Sequence, residues 1–140
     1  MVMEYLVLAA WLIQTAVGVS LFVSWWRGGG TGAATVVTHA AAGVLGLALW
    51  AAFLLSGNVL PAWLAFAVIT VGNGFGDAML RGRSRGMRGA TTFWKGYAGA
   101  IGDTFRGRMP PRVTFHALFS GLVYFTCLGV CIGATVAAAV

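Results

Sequence analysis

Charged residues are scarce in this chain. Only 9% of its 140 residues are Asp, Glu, Lys or Arg, and only Glu4, Asp77 and Asp103 are acidic. A soluble domain of this length needs many more polar side chains to cover its surface. Three isolated acidic residues also offer no paired carboxylates of the kind that many hydrolytic enzymes use. The composition therefore argues against a water-soluble fold and disfavours hydrolytic chemistry.

Cysteine is equally sparse. Cys127 and Cys131 are one helical turn apart inside an apolar segment, so they cannot form the disulfide framework of a small secreted protein. They also lack the Cys-x-x-Cys spacing of thiol oxidoreductases. The glycine-rich run 28–32 lacks the Gly-Lys-Ser/Thr ending of a phosphate-binding loop. We therefore predict buried, apolar cysteines, and these absences favour a protein that is not an enzyme on its own.

Long apolar runs are what the chain does have, since 59% of its residues are hydrophobic. A helix needs about 20 apolar residues to cross a bilayer. Four segments meet that length, at about 3–26, 33–56, 60–80 and 113–138. The first lacks the basic start of a signal peptide and is longer than a signal-peptide core, so we expect it to be retained. The sequence predicts an all-α polytopic membrane protein, residues 1–140 forming one domain, with its short connections favouring an up-down bundle.

The basic residues predict how the chain is oriented in the membrane. All nine Lys and Arg residues belong to the first loop, 27–32, or the third, 81–112. The second loop and both termini contain none. By the positive-inside rule the first and third loops are cytoplasmic, and the N- and C-termini lie outside. We expect a multi-pass protein of the cell membrane.

The third loop carries aromatic and apolar residues at helical spacing. Trp94, Tyr97, Ile101 and Phe105 recur as on one helical face, and charged residues such as Asp103 fall on other faces. This pattern predicts a short amphipathic helix on the membrane surface. The surrounding Arg residues favour contact with anionic lipid head groups. No recognition module points to nucleic acid.

Polar side chains within the spans gather at one depth. His39 lies about six residues, or roughly 9 Å, into the second span from its cytoplasmic end, and His116 about four residues, or roughly 6 Å, into the fourth. Asn73 and Asp77 lie in the last two turns of the third span. Ionisable groups are costly in hydrocarbon, so this cluster is the candidate functional site.

One interpretation of the cluster is a b-type haem held by His39 and His116. Axial imidazoles on different helices of a bundle can bind opposite sides of one macrocycle. Basic residues near the same membrane face are candidates for contacting its propionates: Arg27, Arg81 and Arg112.

The paired histidines and the spacing of His39 and Gly43 are similar in layout to small membrane-bound b-type cytochromes with four-helix cores. The resemblance implies one haem near the cytoplasmic face, because the outer side of the chain offers no histidine. This disfavours electron transfer across the membrane by this chain alone and is compatible with a single-haem subunit that passes electrons between a quinone and a partner. Gly43 and Gly46, one and two turns from His39, are expected to leave space beside its imidazole.

Two other interpretations remain open at this point. In the first, the four polar side chains form a hydrogen-bonded network that only fixes the helix register: His39, His116, Asn73 and Asp77. In the other, His39, Asp77 and His116 hold a divalent metal or relay protons. Either suits a transporter, channel or assembly subunit.

Glycine pairs at GxxxG spacing occur in two spans, at Gly72 and Gly76 and at Gly129 and Gly133. Such pairs let helices approach closely, within the bundle or against another chain. Because four short helices enclose little volume, we expect a homo-oligomer or a larger membrane-complex partner.

Overall fold

The fold is described from a computed structural model, which covers residues 2–89 and 92–139. Residues 90 and 91 of the predicted third loop, and the terminal residues 1 and 140, lie outside this description. Within the described ranges the chain is entirely helical and contains no strand. Its five helices are α1 (Val2–Arg27), α2 (Ala33–Ser56), α3 (Val59–Arg88), α4 (Phe93–Phe105) and α5 (Pro111–Ala138).

The four long helices, α1, α2, α3 and α5, are long and apolar enough to cross a membrane, as predicted. They contain 24 to 30 residues, which corresponds to about 36 to 45 Å and exceeds the roughly 30 Å hydrocarbon core. Large apolar side chains are exposed along them, among them Leu12, Val44, Val71 and Phe125. Such a surface suits lipid and is unusual in water.

The helices end at residues that suit those positions. Gly32 precedes α2 and Gly57 follows it, both with a positive φ that glycine adopts without strain. The Asn58 side chain caps α3 by accepting a hydrogen bond from the Leu60 amide at 2.9 Å. Pro111 occupies the first turn of α5, where its missing N–H is not needed. Local sequence therefore fixes the turns between α1, α2 and α3.

The four long helices contact each other in a ring. α1 packs against α2 and α5, and α3 packs against α2 and α5. Within the described residues, the backbones of α2 and α5 do not approach each other, and neither do those of α1 and α3. α2 and α5, which carry the two histidines, are therefore diagonally opposed.

Side chains at one end of the ring tie the helices together. Trp50, near the end of α2, donates its indole N–H to the carbonyl of Glu4 in the first turn of α1 at 3.1 Å. Trp63, near the start of α3, donates to the hydroxyl of Thr135 in the last turns of α5 at 2.9 Å. Buried residues from all four helices fill the space between, including Trp11 and Cys127. Neighbouring helices in these pairs therefore run in opposite directions.

The third long helix continues beyond the predicted end of its span. α3 ends at Arg88 rather than near Leu80, so part of the predicted third loop is helical. The short helix predicted in that loop is present as α4, despite its glycines. α4 packs mainly on α3 through its buried face, which includes Gly96, Ala100 and Asp103.

Candidate functional site

His39 is fixed to the neighbouring helix by a hydrogen bond. It lies two turns into α2, and its Nδ1–H donates to the backbone carbonyl of Gly72 in α3 at 2.8 Å. A carbonyl can only accept, so this bond places the ring proton on Nδ1 and leaves Nε2 as the nitrogen with a free lone pair. Half-buried His39 is thereby held at a defined ring orientation.

His116 faces His39 across the diagonal of the helix ring. Their ring centroids are 5.9 Å apart and the ring planes are 77° apart. The backbone carbonyl of His116 accepts a hydrogen bond from the Gln14 side-chain amide of α1 at 2.8 Å. Gln14, near the middle of α1, therefore joins α1 to α5 through this hydrogen bond. The structure therefore brings the two histidines together.

Two buried polar atoms at this site have no hydrogen-bond partner among the described residues. They are Nδ1 of His116 and Oε1 of Gln14. A buried polar atom without a partner costs free energy comparable to a lost hydrogen bond. Such orphaned atoms are unusual in a packed interior, and they accompany sites that bind a further group.

Glycines on α1 and α3 make room for the imidazoles. A Cβ atom at Gly18 would lie 3.2 Å from Cε1 of His116, and one at Gly76 would lie 3.1 Å from Cε1 of His39. Both distances are tighter than ordinary contact, so each ring packs directly on helix backbone. Gly18 was not identified from sequence, although it lies one turn from Gln14 on the same inward face. The four-residue spacing of the polar Gln14 and Gly18 is the sequence signal that could have identified it.

The predicted space beside His39 is present at only one of the two glycines. A Cβ atom at Gly43 would meet nothing within 4 Å, so this position is open. At Gly46 the same atom would lie 2.6 Å from Cζ2 of Trp11, whose indole fills the position. At Gly46 the space is therefore used for close packing by a planar ring of the neighbouring helix α1, and only Gly43 leaves it open.

Asp77 and Asn73 differ in their relation to the histidines. Asp77 interacts electrostatically with Arg81 and His39, and with the Tyr97 hydroxyl of α4. Asn73 is half-buried and makes no side-chain hydrogen bond among the described residues. Among the described residues, no group of three His, Cys, Asp or Glu side chains is placed to hold a metal ion.

The predicted anionic-group contacts are dispersed. Arg27 ends α1 and Arg112 lies in the first turn of α5, and both are exposed. Arg81 is half-buried, and its guanidinium lies 4.2 Å from the centroid of the Phe93 ring.

Comparison of the chain with known protein families, curated proteins and solved structures gives no match to any of them.

A second cluster, around Asp103, was not foreseen from the sequence. Its carboxylate is buried and accepts hydrogen bonds from Ser84 at 2.6 Å, from Arg88, and from Arg108 at 3.2 Å. Two Arg residues and a hydroxyl hold the pKa of Asp103 well below its usual range. In the sequence, Asp103 falls on a polar face of the predicted helix. The signal that could have pointed to this cluster is that Asp103 is the only acid within the third loop. We call these four residues the Asp103 cluster.

Proposed function

We propose that the protein is a small membrane redox subunit that binds one haem b through His39 and His116. The observation that carries this proposal is the 5.9 Å separation of the two imidazole centroids across the helix ring. Two metal–imidazole bonds of about 2 Å each, plus the distance from each nitrogen to its ring centre, add up to about 6 Å. The separation therefore suits two axial ligands of one iron.

The hydrogen bonds of the site support the same proposal. Histidines that bind metals commonly donate their other ring N–H to a backbone carbonyl, which fixes the tautomer. His39 makes this bond to Gly72 and leaves its Nε2 available. The buried Nδ1 of His116 lacks a protein partner, so this ring is not committed to a structural hydrogen bond through that atom. In this pair, His39 is hydrogen-bonded to backbone and His116 has no hydrogen bond through Nδ1. Such a pair fits two metal ligands better than it fits a closed polar network.

Small residues support the proposal on steric grounds. Gly18 and Gly76 leave room for the two imidazoles, and Gly43 provides an open position one turn from His39 where a flat macrocycle could lie. When bound, haem would supply one-electron chemistry, and a pair of histidine ligands would favour electron transfer. Arg27, Arg81 and Arg112 are the proposed propionate contacts, since each lies at the end of its span where the histidines are found.

The experiment is an absorbance spectrum of the detergent-purified protein from cells supplied with a haem precursor, oxidised and then dithionite-reduced. We expect a Soret band and sharp reduced α and β bands. His39→Ala and His116→Ala should each lose most of this absorbance, and added imidazole should restore part of it by occupying the space left by the side chain. Asn73→Ala, a polar residue of similar depth without a hydrogen bond to either ring, is the matched control and should keep the spectrum.

A spectrum with protein absorbance only, unchanged when hemin is added, would contradict the haem proposal. The second candidate is then a proton relay, since Asp77 and His39 lie near enough for their charges to interact. In that case Asp77→Asn should reduce proton flux into proteoliposomes as strongly as either histidine variant. Under the haem proposal Asp77→Asn retains bound haem.

We further propose an up-down bundle whose α4 lies on the cytoplasmic surface of the cell membrane. The exposed side chains of Trp94, Ile101 and Phe105 support this placement, because an apolar face beside Arg residues suits the lipid interface. In this arrangement both termini lie outside, and the basic end of the molecule meets anionic lipid head groups.

We also propose that the protein associates with itself or with a larger membrane complex. Gly72 and Gly76 pack within the bundle against α2, but Gly129 and Gly133 of α5 are exposed, with nothing within 4 Å of their Cβ positions. An unoccupied GxxxG face permits close approach of another helix. The mass of the protein in detergent, with Gly129→Leu as the variant expected to dissociate it, tests this proposal.

A further inference from the structure

The cytoplasmic part of α3 and the first turn of α4 enclose a cavity of about 170 Å³. It is lined by Arg81, Arg85, Thr92, Phe93 and Gly96. Two guanidinium-bearing residues thus line it, and no carboxylate does. We call it the Arg81 pocket.

Arg81 is held in place without a hydrogen-bonding anion. Its guanidinium stacks over the Phe93 ring, and its Nε is buried without a hydrogen-bond partner among the described residues. No ion pair within 4 Å joins Arg81 or Arg85 to a carboxylate in that part of the chain. Asp103, the nearest acid along α4, is already occupied by Arg88 and Arg108. Asp77, one turn before Arg81 on α3, interacts electrostatically with it but forms no ion pair within 4 Å among the described residues. The pocket therefore keeps the charge of Arg85 and an Arg81 guanidinium that no carboxylate binds directly.

The start of α4 adds donors to the same pocket. Thr92 precedes the helix, and its side chain makes no capping hydrogen bond. The first amides of a helix lack intrahelical partners, and the helix dipole favours an anion there. Lys95 lines an adjoining crevice together with Arg85 and Gly96, which brings a third cation near the site.

We propose that the Arg81 pocket binds one phosphate group, either of a lipid head group or of a free phosphate. Arginine guanidinium groups bind phosphate oxygens in a fork geometry, and the orphaned Nε of Arg81 gains an acceptor when the anion enters. The pocket does not require bound haem. It shares Arg81 with the proposed propionate contacts, so a phosphate bound here would leave Arg27 and Arg112 for the propionates. It differs from diffuse attraction between the basic loop and lipid because it holds a single anion on named residues.

The test uses the full chain and compares Arg81→Gln and Arg85→Gln with Arg83→Gln. Arg83 is exposed on the same turns of α3 and does not line the pocket, so its variant makes the same change in net charge. In one arm, native mass spectrometry counts phospholipid retained after extraction from nanodiscs of phosphatidylcholine with added phosphatidylglycerol. In the other arm, inorganic phosphate is titrated into the delipidated protein and followed by phosphorus NMR.

We expect one retained lipid or one bound phosphate in the wild type, with affinity lowered about tenfold or more by either pocket variant, as for loss of a charge-assisted bond. Arg83→Gln should stay within about twofold, as for an exposed charge. Lipid retention identifies a head-group site, and phosphate binding without lipid retention identifies a soluble-phosphate site. An equal loss in Arg83→Gln, or no binding in both arms, would overturn the proposal. Arg81→Lys, which keeps the charge but not the fork, should bind with intermediate affinity if folding limits the Gln variants.

Discussion

Single glycines determine where the large rings of this molecule lie. The Trp11 indole is 2% exposed and packs on the bare backbone of Gly46. One turn earlier on the same helix, Gly43 faces open space. The two positions look alike in sequence but have opposite surroundings.

These glycines give a matched prediction for stability. Gly46→Ala places a Cβ atom where only 2.6 Å separates it from the Trp11 ring, so the variant should lose about 1–3 kcal/mol, as for overpacking in a core. Gly43→Ala meets no atom and should be neutral or gain up to about 1 kcal/mol from helix propensity. Denaturation of both variants in mixed micelles measures the difference. Equal stabilities would show that Trp11 does not pack on Gly46.

Depth along a helix could be predicted at the residue scale, but rotation about its axis could not. The shared depth of His39 and His116 followed from counting residues into each span. That the rings face each other depends on the diagonal arrangement of α2 and α5, which sequence spacing does not encode. Gly18 contacts His116 from nearly a hundred residues away along the chain, so local spacing can place Gly18 on the inward face of α1 but cannot show which side chain it meets.

At the scale of elements, the Asp103 cluster attaches α4 to the extension of α3. Run length correctly predicted four helices that are long and apolar enough to cross a membrane, because about 20 apolar residues have few other uses. The helical extension of α3 beyond the predicted span could not be foreseen, because the charged residues after Leu80 resemble a loop. They remain helical where Ser84 and Arg88 contact Asp103, a tertiary interaction that local composition does not reveal.

Asp103→Asn is expected to loosen α4. The substitution removes the ionised acceptor of two partly exposed Arg side chains and weakens the acceptor of the buried Ser84 hydroxyl. Hydrogen–deuterium exchange of residues 93–105 should accelerate at least several-fold, while exchange in α1 and α2 stays unchanged. Arg106→Gln, an exposed charge change on the next turn, is the control and should exchange like the wild type.

The lowered pKa of Asp103 sets the pH range over which the wild type keeps α4 attached. Its ionised form contributes stability that is complete above the pKa of an unfolded aspartate, about 4, and that is lost as pH falls through the lower folded value. Exchange in α4 should therefore, after correction for intrinsic rates, be constant between about pH 5 and pH 8 and should rise only in stronger acid. A rise near neutral pH would assign the attachment to another group.

At the scale of the whole molecule, the proposed orientation follows from charge. Thr31 and Ser56 flank α2 at opposite ends, and both are exposed. With the buried Cys127 and Cys131 replaced by alanine, Ser56→Cys should react in intact cells with a membrane-impermeant maleimide. Thr31→Cys should react only after permeabilisation. The reverse pattern would place the basic loops outside.

The contribution of α3 to the histidine pair consists of a backbone carbonyl at Gly72 and the missing side chain of Gly76. Among the described residues, no α3 side chain forms a hydrogen bond with either imidazole, and the interaction of Asp77 with His39 is electrostatic only. On this stretch of α3, we therefore expect the histidine pair to limit the volume of a substituted side chain rather than its polarity. A relative of this protein could change the polarity of α3 at many other positions and keep the pair, whereas one added methyl group at residue 76 would press on the His39 ring.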